Sequence, residues 1–192
     1  MKKEFSTRLV FSFLFIMMSV HPALSQSVKY NGDIEAGVVI HTKFATNQIN
    51  AATTHGIYFA NPQLFIGAGA AIGWNINAEF YNKVYPIYGD IRKDFTINSR
   101  LTAFIDAKAG YSFQGDSTYI DCDCGLNYGF YCYPSLGLKI DTSQKCGLYL
   151  KLGYTYQNAT RSWKWYADGI KYADSERYDA GGLSATIGFS FQ

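Results

Sequence analysis

Residues 183–191 of the sequence are Leu183-Ser184-Ala185-Thr186-Ile187-Gly188-Phe189-Ser190-Phe191. Apolar residues take every odd position, and small polar residues or glycine take every even one, which is the period-2 pattern of a strand with two unlike faces. The same alternation runs from Leu148 to Tyr156 and from Leu101 to Phe113. These runs exceed the roughly five or six residues typical of soluble strands and match the roughly 9–11 needed to cross a bilayer at a tilt. The pattern predicts long strands.

Segments of this kind recur along the chain and are separated by turn residues. Eight can be delimited, at 31–43, 53–60, 63–75, 84–94, 101–113, 127–140, 146–158 and 181–191. Short connections fall at 61–62, 95–100 and 141–145, and longer ones at 44–52, 76–83, 114–126 and 159–180. Short and long connections alternate strictly, as in an up-and-down transmembrane barrel with tight periplasmic turns and long external loops. We therefore expect an all-β, eight-stranded antiparallel barrel with both termini on the periplasmic side.

The two faces of the strands indicate which side meets lipid. Leu and Ile, with Tyr or Phe near the strand ends, gather on one face, as in the apolar band and aromatic girdles of membrane barrels. Charges and glycines gather on the other face and suit a narrow lumen. The alternative is an exported soluble barrel such as a lipocalin, with an apolar lumen and a polar exterior. Heat-modifiable migration in detergent gels would distinguish the two.

The N-terminus has the features of a signal peptide at residues 1–25. Lys2, Lys3 and Arg8 precede an apolar run at 9–20, and Ala23 and Ser25 are small residues before a cleavage point. A membrane anchor is the alternative, but the run is shorter than the roughly 20 residues of a spanning helix. The mature domain is then 26–192, exported to the cell outer membrane.

The composition of this domain limits the classes of partner that it can bind. Charged residues are only 17% of the chain and aromatic residues another 17%. Removing residues 1–25 leaves 17 − 3 = 14 basic and 15 − 1 = 14 acidic residues. A clustered excess of Lys and Arg is what nucleic-acid binding needs, so we expect no nucleic-acid partner.

The pattern resembles a known family. The residues that carry the resemblance are the signal peptide, Gly56 to Gly69, Tyr85 to Phe95 and the closing Gly182 to Phe191. They are similar to the small OmpA/OmpX-like outer-membrane β-barrel family, a porin-family barrel domain. The resemblance implies outer-membrane lipid and the barrel-assembly machinery as partners, no cofactor, and an aromatic assembly signal at Phe189 and Phe191. Family members usually end on the aromatic residue, whereas Gln192 follows here.

Charged residues recur on the face predicted to line the lumen. They are four acids and four bases: Glu35, Asp90, Arg92, Asp94, Asp106, Lys108, Lys139 and Lys151. An unpaired charge in a narrow lumen is costly, so we expect a structural network of ion pairs that closes the barrel. The alternative is a polar pathway whose pairs exchange.

The connection at 159–180 carries the strongest turn signal. Asp168-Gly169 between alternating segments is typical of a two-residue hairpin. The signal predicts a projecting ribbon, and one interpretation is that its edge binds an external protein or surface ligand, with Trp163, Trp165, Tyr166 and Tyr172 as anchors. The alternative is that these aromatic residues pack on neighbouring loops or lie in the lipid interface.

The predicted mature chain has four cysteines and two histidines, the residue types that most often carry metal or nucleophilic chemistry. Cys132 and Cys146 are not expected to pair, and a bridge within the loop, or from Cys122 or Cys124 to Cys132, is favoured instead. Asp121 to Cys124 is a weak metal motif, so no metal site is predicted. For a lipid-active enzyme, His41 and His55 bracket the first long loop, which would bring them close together, with Asp116, Ser117 and Asp121 as possible partners. No motif fixes a catalytic role.

The leading expectation for function is a structural, surface-interacting barrel that presents external loops. A narrow pore for small solutes is the first alternative and a lipid-active outer-membrane enzyme the second. The ligand of the loops and the oligomeric state are not encoded in any motif of the sequence.

Overall fold

A computed structural model describes residues 28–42, 47–76, 82–117, 123–143, 145–167 and 170–192. The predicted signal peptide at 1–25 lies outside these residues. The strands are β1 Val28–His41, β2 Asn47–Phe59, β3 Leu64–Ile76, β4 Asn82–Thr96, β5 Leu101–Ser117, β6 Asp123–Asp141, β7 Cys146–Ala167 and β8 Ile170–Phe191. No helix among the described residues is long and apolar enough to cross a membrane.

Each strand pairs antiparallel with the next, and β8 pairs with β1 to close the barrel. The closing register runs from Gly32 opposite Phe191 to His41 opposite Gly182. Closure satisfies the backbone groups of both outer strands, which an open sheet would leave unpaired. The predicted fold, an eight-stranded antiparallel up-and-down barrel, is confirmed.

The two faces are oriented as a transmembrane barrel requires. Leu136 and Leu183 point outward and are each 64% exposed, whereas Asp33 and Lys108 point inward at 0% and 1%. A lipocalin-like arrangement would show the reverse. On β3, ten residues separate outward-facing Leu64 from Trp74, which at the usual strand rise and tilt is about 25 Å, the height of an apolar membrane band.

The polar segments predicted as long connections are in large part strand. β7 and β8 stay paired until Ala167 lies opposite Ile170, and β5 and β6 extend to Ser117 and back from Asp123. Ladder hydrogen bonds continue beyond the membrane, whereas the apolar alternation stops because neither face meets lipid there. The apolar alternation therefore predicts the membrane-crossing part of each strand but not its polar extension.

The barrel has two unlike ends. The short-turn end carries Val28, Phe191 and the connections 60–63, 97–100 and 142–145. One of these connections contains the cis peptide Asn61–Pro62 and Gln63 with a φ of 61°. The opposite end, here called the extended end, carries the strand extensions. The predicted topology makes the short-turn end periplasmic.

Candidate functional site

The charged residues predicted for the lumen all point inward. Seven of the eight are at most 6% exposed, and Lys139 is 13% exposed near the short-turn end. The structure adds one residue that was not predicted, Asp33, which is fully buried. Its signal was present in the sequence, because Asp33 lies two positions from Glu35 and so shares its face. This set of nine residues is called the lumen network below.

Glu35 is the centre of the lumen network. Its Oε2 accepts a hydrogen bond from Lys108 Nζ at 2.7 Å, and its Oε1 accepts one from Lys151 Nζ at 2.8 Å. The hydroxyl of Tyr149 donates to the same Oε1 at 2.8 Å. Lys151 also donates to Asp106 Oδ2 at 2.7 Å. These short, buried, charge-assisted contacts join β1, β5 and β7 across the barrel.

Arg92 forms a second layer, nearer the short-turn end. It donates to Asp33 Oδ2 at 2.8 Å and to Asn31 Oδ1 at 3.2 Å. Its guanidinium lies 4.8 Å from the ring centroid of Phe65 and 5.6 Å from that of Phe104. The ion pair of Arg92 with Asp33 and the two phenylalanine rings together close the lumen at this level.

The remaining pairs are looser. Lys139 Nζ is 3.7 Å from Asp94 Oδ2 and 3.7 Å from Asp141 Oδ1, and Arg92 Nε is 3.5 Å from Asp94 Oδ1. Asp90 Oδ2 is 4.0 Å from Lys108 Nζ. The nine residues of the lumen network comprise five carboxyl groups and four cations, so the lumen carries a surplus of one carboxyl group.

Aromatic rings fill the space that the ion pairs leave. An inward-facing glycine on a neighbouring strand makes room for each ring: Gly188 lies under Tyr149 and Gly137 under Phe104. The lumen cavity bordered by Glu35 and Lys108 has a volume of about 30 Å³, room for about two water molecules. Within the described residues the lumen is therefore closed, as expected for eight strands.

The ribbon residues have backbone positions in the extended strands. Trp165 lies opposite Tyr172, Trp163 opposite Asp174, and Tyr166 opposite Lys171. β6 joins the ribbon up to the pair Asp123–Lys164. Residues 123–128, 159–167 and 170–180 thus form a three-stranded sheet beyond the barrel wall, here called the external sheet. Asp168 and Gly169 lie outside the described residues, as do the side chains of the four predicted aromatic anchors.

The external sheet has unpaired edges. β1 pairs with β8 only as far as Gly182, with one more hydrogen bond from Thr42 N to Gly181 O. In the part of the chain that the structure describes, no strand lies beside β8 at 170–180 on the side that faces away from β7. Asp174, Arg177 and Asp179 are exposed along this edge, and exposed charges of this kind discourage unselective strand pairing.

The two aromatic residues of the predicted assembly signal lie on the outer face at the barrel seam. The ring of Phe191 covers Gly32 of β1, where a Cβ would come within 2.5 Å of it. It is 6.3 Å from the ring of Phe189 and 6.3 Å from that of Tyr30. After closure, Phe191 therefore packs across the joint between β8 and β1.

The two histidines do not meet. His55 lies opposite Gly32, while His41 lies opposite Gly182 at the extended end. Nine positions of β1 separate them, about 30 Å at the usual strand rise. The expectation that they lie close together is wrong, because the first connection is mostly strand and carries His55 away from the rim. Of the possible partners, Asp121 and the side chains of Asp116 and Ser117 lie outside the described residues.

His55 instead belongs to a hydrogen-bonded chain on the lipid-facing surface. Thr53 Oγ1 donates to the carbonyl of Asp33 at 3.2 Å, so it accepts from His55 Nε2 at 2.9 Å. His55 Nδ1 then accepts from the Tyr30 hydroxyl at 2.6 Å. In this arrangement the proton of Thr53 points away from His55, so His55 does not activate it as a nucleophile.

Cys132 and Cys146 are both free, so the prediction that they do not pair is confirmed and the alternative of a bridge to Cys132 is wrong. Cys132 lies opposite Tyr156, well within the barrel wall, whereas Cys146 begins β7 at the short-turn end. Cys122 and the side chain of Cys124 lie outside the described part of the chain.

A closed eight-stranded antiparallel barrel with an apolar exterior and charged residues in its lumen defines the class of small transmembrane β-barrels. The described chain has this fold. Three solved outer-membrane barrels share it. Neisserial surface protein A is 11% identical with a TM-score of 0.61 and covers 86% of this chain and 99% of its own. OprG of Pseudomonas aeruginosa is 9% identical with a TM-score of 0.54, covering 84% and 94%.

The third is outer membrane protein W of E. coli, 14% identical with a TM-score of 0.51, covering 87% of this chain and 100% of its own. No family model matches the sequence, and no curated protein does. At these identities the likeness concerns the fold, which agrees with the small outer-membrane barrels that the sequence resembles.

Proposed function

We propose that this protein is an outer-membrane barrel that anchors the external sheet at the cell surface as a binding surface, with no catalytic chemistry of its own. The observation that carries the proposal is the contrast between the two parts of the barrel. The lumen is filled by buried ion pairs, while β7 and β8 continue well past the last pair of β8 with β1, His41–Gly182. A filled lumen does not suit a pore, whereas strands that extend beyond the barrel wall suit an anchor that presents a binding surface.

The closed lumen disfavours the pore alternative. A solute crossing the barrel would have to displace Lys108 and Lys151, each 1% exposed and each bound to Glu35 at 2.7–2.8 Å. Breaking such buried pairs costs several kcal/mol. The distance between His41 and His55 likewise argues against a lipid-active enzyme, because the two histidines cannot share one active site.

The edge of β8 suits binding by strand addition. A partner segment lying beside 170–180 would find the backbone groups that point away from β7, and strand addition draws its affinity from such main-chain hydrogen bonds. The exposed charges at Asp174, Arg177 and Asp179 would then select among partners.

The orientation can be tested by inserting a peptide epitope at either end. Between Asp168 and Gly169 it should be accessible to antibody on intact cells, because these residues connect Ala167 and Ile170, the last described pair of the external sheet. Between Ser143 and Gln144 it should be accessible only after the outer membrane is permeabilised. The reverse pattern would overturn the proposed orientation.

The role of the external sheet is tested by deleting 163–173. Since the barrel register of β1–β8 and β6–β7 below these residues is untouched, we expect heat-modifiable migration to be retained. Adhesion of expressing cells to one another and to protein-coated surfaces should fall to the level of cells without the protein. Loss of barrel assembly, or unchanged adhesion by a folded variant, contradicts the proposal.

A further inference from the structure

The middle of the lumen encloses more carboxyl groups than cations. Among the described residues, the groups that are at most 6% exposed there are four carboxyl groups and three cations: Asp33, Glu35, Asp90, Asp106, Arg92, Lys108 and Lys151. Including the ion pair of Asp94 with Lys139 adds one group of each sign and leaves the difference unchanged. An unbalanced charge in a closed space of low dielectric constant is costly, and a carboxyl group avoids that cost by holding a proton.

Asp90 differs from the other three carboxyl groups in its contacts. Asp33, Glu35 and Asp106 each accept a hydrogen bond of 2.7–2.8 Å from a cation. By contrast, Asp90 Oδ2 is 4.0 Å from the nearest cation, Lys108 Nζ, and Asp90 Oδ1 has no hydrogen-bond partner among the described residues. The surplus of the lumen is therefore at Asp90.

Lys108 has no N–H group left for Asp90. Its Nζ donates to Glu35 Oε2 at 2.7 Å, to the Tyr88 hydroxyl at 3.3 Å and to Thr54 Oγ1 at 3.5 Å, and an ammonium group has only three N–H donors. The Cα partner of Asp90 on β3 is Gly67, which has no side chain to offer. A charged Asp90 would be a buried carboxylate without a donor, which is unfavourable.

The carboxyl group of Asp90 lies beside that of Asp106. In the register of β4 with β5, Asp90 is opposite Lys108 and Arg92 is opposite Asp106, so Asp90 and Asp106 are diagonal neighbours on the inward face. Their carboxyl groups are within hydrogen-bonding reach. Asp106 Oδ1, like Asp90 Oδ1, is buried and has no donor. Two carboxylates at this range repel each other, whereas a carboxylic acid donates to a carboxylate.

We propose that Asp90 is a neutral carboxylic acid in the folded barrel and donates a hydrogen bond to the carboxylate of Asp106. Asp106 keeps its charge because Lys151 donates to it at 2.7 Å. Three carboxylates then balance three cations in the middle of the lumen. A bound proton is thus a structural component of the closed barrel, and its presence does not depend on the binding surface proposed for the external sheet.

Infrared spectroscopy tests the proton directly, because the carbonyl band of a carboxylic acid is separate from the bands of a carboxylate. The full barrel is refolded in lipid vesicles at neutral pH, with and without an isotopic label on the aspartate carboxyl carbons. We expect a label-sensitive acid band in wild type that is absent from Asp90→Asn and retained in Asp141→Asn, the same change at an exposed position. No such band in wild type, or its persistence in Asp90→Asn, overturns the proposal.

Two matched substitutions on neighbouring strands test the assignment to Asp90. The amide of Asp90→Asn has the shape of the acid and can donate to Asp106, so its unfolding equilibrium constant in urea should stay within about threefold of wild type. Asp106→Asn leaves Lys151 without its carboxylate, so it should raise that constant by at least about a hundredfold or prevent assembly. An Asp90→Asn barrel that fails to assemble, or that is as unstable as Asp106→Asn, shows that Asp90 is charged.

The pH dependence of unfolding provides a third readout. The charged groups that face Asp90 are Asp106 and Lys108 of β5 and Lys151 of β7, with Glu35 of β1 beyond the two lysines. An unfolded Asp90 in water is ionised at neutral pH, so unfolding releases its proton and a rise in pH favours unfolding. The unfolding constant of wild type divided by that of Asp90→Asn should rise about tenfold per pH unit around neutral pH. A ratio that does not change with pH overturns the proposal.

Discussion

Glu35→Gln is expected to destabilise the barrel by about 3–5 kcal/mol, the cost of removing one partner from a buried ion pair. Gln keeps the shape of Glu but has no charge to balance Lys108 and Lys151, both 1% exposed. It also places an amide NH₂ against one of the two ammonium groups that now donate to the carboxylate. Urea unfolding of the protein in lipid vesicles, followed by tryptophan fluorescence, measures the change.

Asp141→Asn is the matched control for Glu35→Gln. Asp141 is 39% exposed and 3.7 Å from Lys139, so its loss should cost less than about 1 kcal/mol, as for other exposed pairs. Equal effects of the two substitutions would show that the contacts of Glu35 do not hold the barrel together.

Gly188→Ala is expected to have the second largest effect. It should destabilise the barrel by about 1–3 kcal/mol, which is typical of overpacking. A Cβ at this position would overlap the ring of Tyr149, which lies directly over Gly188. The ring would have to move, and its hydroxyl would then lose the 2.8 Å hydrogen bond to Glu35. The same urea titration measures the loss.

Gly89→Ala provides the comparison for Gly188→Ala. The atoms nearest a Cβ at Gly89 are two backbone oxygens at 3.9 and 4.0 Å, which is ordinary contact. Because alanine loses less conformational freedom on folding than glycine, we expect this variant to be unchanged or more stable by roughly 0.5–1 kcal/mol. A Gly188→Ala barrel as stable as Gly89→Ala would rule out the close packing of Tyr149.

The barrel is predictable from the sequence because alternate residues of each strand face two different environments, the lipid outside and the polar lumen inside. Leu183 faces outward and Ser184 inward as the period-2 pattern requires, and the alternation of short and long connections orders the strands. The extensions of β7 and β8 are less visible, because residues such as Ser175 and Arg177 meet water on both faces and the alternation disappears.

The partners inside the lumen could not be predicted residue by residue. Glu35 meets Lys151, 116 positions away in the chain, and only the stagger of closed strands brings them to one level. The alternation predicts that eight charged residues face the lumen, but it does not predict which of them pair. Asp33 was not among the residues predicted.

Single-channel recording in a planar bilayer tests the closed lumen most directly, with wild type and Arg92→Ala measured side by side after insertion is confirmed by heat-modifiable migration. We expect no steady current from wild type. We also expect none from Arg92→Ala, because Glu35, Lys108 and Lys151 still fill the next layer. A steady wild-type current that changes in Arg92→Ala would show that the lumen charges line an open path, and the barrel would then function as a pore.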